Sequence, residues 1–181
     1  MRKRTDSGFT LLELLVVVAV IGIIAAIAVP GLLRARIAGN EAAAIGSMRV
    51  VNSSQTAYMA SCGNGFYASS LIILGEPAPT GGAFISPELG VAAIIEKSGY
   101  ELTMMEGSES VNSTRDGCNP SGTAANLFSS YYAANQPITS GVSGTRWFWT
   151  NSLGTVFVSG ADDFDAEDVG NAAPSVGAAL Q

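Results

Sequence analysis

Between Phe9 and Leu33 the side chains are apolar almost without interruption, with Thr10 and Glu13 the strongly polar exceptions. At about 1.5 Å of rise per residue this stretch reaches roughly 37 Å as a helix, long enough to cross a bilayer. Beyond it the pattern turns periodic. Ile37, Ala44, Met48, Val51, Gln55, Tyr58 and Cys62 recur at steps of three, four or seven, marking a mostly apolar stripe on one face of a helix that runs to about Ala60. That face is predicted to lie on a globular head. Pro30 removes a backbone donor and stands next to Gly31, so a kink or a locally melted stretch is expected near Ala26 to Pro30. Gly39-Asn40 and Gly46 are weaker points that read equally well as tolerated surface breaks.

After the helix the period lapses. Ser61 to Ala83, rich in Gly, Ser, Pro and Ala, reads as irregular connection, and Pro87 to Lys97, with Leu89, Val91, Ile94 and Ile95, predicts a short helix. Tyr100 to Met105, Phe128 to Asn135, Arg146 to Thr150 and Thr155 to Ser159 then read as short strands, with Asn151-Ser152-Leu153-Gly154 as turn residues between the last two. The expected fold class is α+β, a long N-terminal helix packed on a small antiparallel sheet of about four strands.

Composition narrows the chemistry. The chain has 181 residues, enough for one ordinary globular domain plus the unusual N-terminal segment. It contains no histidine, which excludes triads with an imidazole base and His-ligated metal centres. No nucleophile with an adjacent base, no phosphate-binding glycine loop and no metal motif of recognisable spacing is present, so an enzyme is the least favoured class and no cofactor is expected. Arg2, Lys3 and Arg4 crowd the start while Asp162, Asp163, Asp165, Glu167 and Asp168 crowd the tail. Removing residues 1–8 would take away Arg2, Lys3, Arg4 and Asp6 and change the net charge from -6 to -8. So acidic a body is a poor binder of nucleic acid, whose phosphates attract clustered Lys and Arg.

The basic N-terminal flank has Arg34 and Arg36 as its counterpart beyond the apolar stretch, a bias that mildly favours a cytoplasmic N-terminus and an exported head. A cleavable secretory signal is the alternative, with Ala26-Ile27-Ala28 as a small-x-small site before Val29. Glu13 argues against it. A carboxylate inside an apolar span costs up to about 2.5 to 3.5 kcal/mol near a membrane centre, and such a group calls for a partner. The competing reading of Glu13 is a side chain that snorkels at the membrane surface.

Gly8-Phe9-Thr10-Leu11-Leu12-Glu13-Leu14 resembles the prepilin processing motif of type IV pilins and type II secretion pseudopilins. The resemblance is specific over about Gly8 to Ala60 and diffuse afterwards. It implies cleavage between Gly8 and Phe9 by a dedicated membrane peptidase, N-methylation of Phe9, and a role for Glu13 in joining subunits. It further implies a homopolymer, with the membrane and an inner-membrane assembly machinery as partners, and a single-pass precursor whose product is an extracellular pilus used for adhesion or motility. The family also has a helix-breaking proline at the place of Pro30. The division expected on this basis is a leader at 1–8, a membrane and filament-core helix at 9–33, an amphipathic half at 34–62, a connection with a short helix at 63–98, a sheet head at 99–160 and an acidic tail at 161–181.

Further residues have two readings each. Cys62 and Cys118 are the only cysteines; in an exported domain an even pair favours one disulfide, which would tie the helix end to the loop Ser108 to Thr123, with two separate thiols as the competing reading. Trp147 and Trp149 alternate with Phe148 and fall on one face of a strand, which points to packing rather than a ligand platform. Asp162, Asp163 and Asp165 offer oxygens for calcium but lack a defined loop spacing, and read better as a solvated acidic tail. Three functional readings stand: a structural subunit of a type IV pilus, a type II secretion pseudopilin, and a secreted or single-pass binding module using Trp147, Trp149 and Tyr132.

Overall fold

The computed structural model describes residues 8–108, 110–160 and 177–180. The chain divides into two compact units, 1–36 and 37–181. A single helix, α1 (Leu11–Ser61), contributes to both. It continues through Pro30 as regular helix, so the melted stretch that Pro30-Gly31 led us to expect does not form. A proline costs the helix one backbone bond, and in a helix of 51 residues propagation on both sides carries the interruption.

The second unit is built on the later part of α1. Ala44, Met48, Val51, Gln55 and Tyr58 are buried along one face, as the stripe predicts. After α1 come β1 (Tyr67–Ala68), the short helix α2 (Leu71–Gly75), β2 (Ile94–Lys97), β3 (Tyr100–Glu106), β4 (Leu127–Phe128), β5 (Tyr131–Pro137), β6 (Trp147–Asn151), β7 (Val156–Ser159) and β8 (Ala178–Ala179). β1 pairs with β4; the others form a six-stranded antiparallel sheet in the order β2-β3-β5-β6-β7-β8. The α+β class holds, with six strands in place of about four.

Two elements differ from the expectation. The strand expected over Phe128 to Asn135 is divided, its start lying in β4 beside β1 and the rest in β5 of the six-stranded sheet. The helix expected at Pro87 to Lys97 is absent, and its second half is β2, paired with β3 so that Lys97 faces Tyr100. The hairpin turn explains this. Ser98 (φ 51°) and Gly99 (φ 73°) both take left-handed backbone, the geometry that suits a two-residue hairpin to twisted strands. The short helix is α2, inside the stretch read as irregular, where Leu71, Ile73 and Leu74 bury themselves.

The inner sheet face supplies Tyr100, Leu102, Met104, Tyr131, Ala133, Phe148 and Val156 to one core with α1. On the opposite face Trp149 packs with Tyr132 and Phe157. Strand alternation thus separates Phe148 from Trp149, as the sequence pattern implies. Gln55, fully buried, survives in the core by bonding both backbone groups of Ala68, accepting from its N–H at 3.0 Å and donating to its carbonyl at 2.7 Å.

Candidate functional site

The N-terminal segment begins with a local hydrogen-bond motif. The Thr10 N–H and hydroxyl donate to Glu13 Oε2 at 3.2 and 3.0 Å, and the Glu13 N–H donates back to Thr10 Oγ1 at 3.2 Å. This reciprocal pair is a capping box. It satisfies otherwise orphaned N–H groups at the helix start and places a negative charge at the positive end of the helix dipole. Thr10-Leu11-Leu12-Glu13 has the T-x-x-E spacing of such a box, a signal available in the sequence beside the processing motif. Both bonds to the carboxylate fall on Oε2, which leaves Oε1 without a hydrogen bond among the described residues.

Gly8 and Phe9 precede the helix; Phe9 is 78% exposed, and a Cβ on Gly8 would meet nothing within 4 Å. Through the next turns Leu11, Leu12, Leu14, Leu15, Ile21, Ile23, Ile24 and Ile27 are all exposed. None of the most apolar 18-residue window is buried within the protein. An apolar surface of this length has no place in water, and by length and composition the helix can cross a membrane.

In the second unit the structure adds a site that sequence reasoning missed. Glu41, 5% exposed, pairs with Arg146 at 2.6 Å through Nη2 and 2.8 Å through Nε, and accepts from the Thr145 N–H and hydroxyl at 3.0 and 2.9 Å. Burial pushes the Glu41 carboxyl up, but the Thr145 N–H, the Arg146 guanidinium and the Thr145 hydroxyl together outweigh it and hold the pKa below its usual value. Asn40 alongside donates to the Ser143 carbonyl at 2.8 Å, and the Tyr100 hydroxyl donates to the Arg146 carbonyl at 2.8 Å. The connection from β5 to β6 is thereby fixed on α1. Glu41 completes the stripe as Ile37, Glu41, Ala44, Met48, Val51, Gln55, Tyr58, Cys62; a carboxylate at such a position demands a charged partner, which is the signal that could have found it.

Cys62 and Cys118 are bonded, their Cα atoms 4.8 Å apart, which ties the end of α1 to the loop before β4. Asn119 braces the same corner: its Oδ1 accepts from the Tyr58 hydroxyl at 2.9 Å and its amide donates to the Ile73 carbonyl at 2.6 Å. Burial, then the negative charge of Glu76, push the Tyr58 hydroxyl up to about 12, so it stays a donor at neutral pH. Neither Glu13, Glu41 nor the cysteines form a nucleophile–base arrangement with one another. Arg2, Lys3, Arg4 and the acidic residues Asp162, Asp163 and Asp165 lie outside the described residues.

A membrane-compatible helix with a capped, carboxylate-bearing start, joined to an antiparallel α+β head, defines the class of protein. The chain matches the prokaryotic N-terminal methylation motif over residues 3–29, and the match supports the type IV pilin and pseudopilin family. No curated protein and no solved structure matches the chain.

Proposed function

We propose that the protein is a structural subunit of a type IV pilus, cut between Gly8 and Phe9, methylated on Phe9 and polymerised with copies of itself into a surface filament. The observation that carries this reading is the methylation motif at 3–29 together with a helix, from Leu11 onward, whose apolar side chains find no burial within the subunit. Before assembly the bilayer covers those side chains, with the N-terminus cytoplasmic and the head exported. Afterwards the same stretch of neighbouring subunits covers them, so one apolar surface serves both states. The protein then acts by packing, and does no catalysis.

Cleavage leaves a cationic amine on Phe9. Glu13 of an adjoining subunit neutralises it, and in a core of low dielectric that charge-assisted bond fixes the axial position of each new subunit. The capping box holds this carboxylate: Thr10 occupies Oε2, and Oε1 is left for an incoming donor. The peptidase and the inner-membrane assembly machinery are the remaining partners, and adhesion or motility is the use of the finished filament.

A type II secretion pseudopilin remains the second reading, because the motif is common to both. Shearing filaments from cells at native expression separates the two. Recovery of this chain as the main sheared component supports the pilus, whereas its retention in the membrane with no sheared polymer favours the pseudopilin. The binding-module reading loses ground on burial: Tyr132 and Trp149 lie inside the outer-face cluster, so the three aromatics do not form an exposed platform.

A further inference from the structure

An open groove of about 690 Å³ is walled by Ala57 and Ser61 of α1, by the loop from Ala78 to Phe84, and by Cys118. Cys62, the disulfide partner of Cys118, is by contrast 5% exposed and sits in the core with Tyr58. The two halves of the disulfide therefore meet the outside unequally. They are also unequal in their donors: the Cys118 backbone N–H donates to Cys62 Sγ at 3.0 Å, in addition to the Cys62 carbonyl at 3.2 Å.

We infer that the Cys62–Cys118 bond is a site of directional thiol–disulfide exchange in the folded subunit, with Cys118 the sulfur attacked from the groove and Cys62 the leaving group. In the step, an external thiolate forms a new S–S bond to Cys118 Sγ. The Cys62–Cys118 bond breaks, and its electron pair departs on Cys62 as a thiolate that then takes a proton from water. From there the Cys62 thiolate can attack Cys118 again and expel the external thiolate, which restores the bond, or a second external thiolate can attack the mixed disulfide, leaving both cysteines as thiols and carrying the oxidation away as an external disulfide. The N–H already aimed at Cys62 Sγ stabilises the departing charge. Cys62 follows the C-terminal end of α1, whose partial negative charge opposes a thiolate there. Access decides the direction nonetheless, because the exchange rate depends on which sulfur a nucleophile can reach, and only Cys118 lines the groove. Among the described residues no ionised side chain lines it, so an anionic thiol meets no repelling wall there. The bond can then be opened and closed after the head has folded. This inference is independent of whether the subunit enters a pilus or a secretion filament.

The test uses the full chain in detergent, exposed briefly to reduced glutathione without denaturant, quenched with a maleimide and digested with trypsin. Cleavage after Arg49, Lys97, Arg115 and Arg146 puts Cys62 and Cys118 on separate peptides, 50–97 and 116–146. The expected early product carries glutathione on 116–146 and maleimide on 50–97. A Cβ on Gly82 would meet nothing within 4 Å, so Gly82→Leu crowds the groove at little cost to folding; it should slow the exchange roughly tenfold by restricting access, with the unfolding midpoint unchanged. A second arm replaces glutathione by a CxxC dithiol protein lacking its resolving cysteine. Capture on Cys118 extends the site to protein thiols, and reaction with glutathione alone restricts it to small ones. The reverse labelling, equal labelling of both peptides, exchange only in denaturant, or an unaltered rate in Gly82→Leu would each overturn the inference.

Discussion

Residues 11–36 and 37–61 belong to one continuous helix, yet they solve opposite problems. In the first stretch nearly every large apolar side chain is exposed, and its one carboxylate, Glu13, bonds to Thr10 just ahead of the helix. In the second, buried positions include Glu41, Ser54 and Gln55, and each of these finds its partner elsewhere in the subunit. A buried polar group is tolerated only when paired, so the second stretch is selected by a finished fold. The first is selected by an environment that the subunit itself does not supply.

The sharpest way to break the comparison is at the proposed processing site. Replacing Gly8 by a β-branched residue such as Val should abolish maturation while leaving the head folded. The expected result is an unprocessed chain by intact mass, with a head unfolding curve superimposable on the parent's. Next in size is the bond at the other end of α1. Substituting Cys62 and Cys118 together by Ser removes a link across a sequence separation of 56 residues, and denaturant unfolding should show a loss of about 4 kcal/mol on the chain-entropy account. Processing at Gly8 should be unaffected.

Glu41→Ala tests whether the polar positions of the second stretch are held from within. It leaves Arg146 and the Thr145 N–H without their acceptor, and because Arg146 is partly solvated the expected loss is about 2 kcal/mol, below that of a fully buried pair. The pH dependence has a definite sign. The Glu41 pKa is lowered on folding from 4.5, so its contribution is fully present above that value and disappears as pH falls through the lower folded value. Glu41→Gln should flatten the acid limb of the stability profile over that window. The smallest effect is at the β2–β3 turn, where Gly99→Ala at positive φ should cost about 1 kcal/mol or somewhat more, since Ser143 and Asn40 crowd the position.

Much of this was legible in the chain. The stripe from Ala44 to Tyr58 predicted the buried face of α1, and alternation along β6 predicted that Phe148 and Trp149 point to opposite faces, because both are period signals confined to one element. The β2 strand was not. Leu89, Val91, Ile94 and Ile95 fit a helical spacing as well as a strand, and only Ser98-Gly99 after them, a hairpin signal, decides between the two. The Glu41–Arg146 pair is separated by 105 residues, and no local pattern carries a contact of that range. Its trace was the polar residue standing in an apolar stripe. The residues proposed for cleavage, methylation and assembly, Gly8, Phe9 and Glu13, lie within six positions of one another, which is why a motif alone could single them out.

The most direct measurement is the intact mass and N-terminal fragment spectrum of the protein recovered from its own cells. A chain that begins at methylated Phe9 is the predicted result. A chain that begins at Met1, or at Val29 after signal cleavage, would contradict the account, since the exposed apolar stretch would then be either unprocessed or lost before any filament could form.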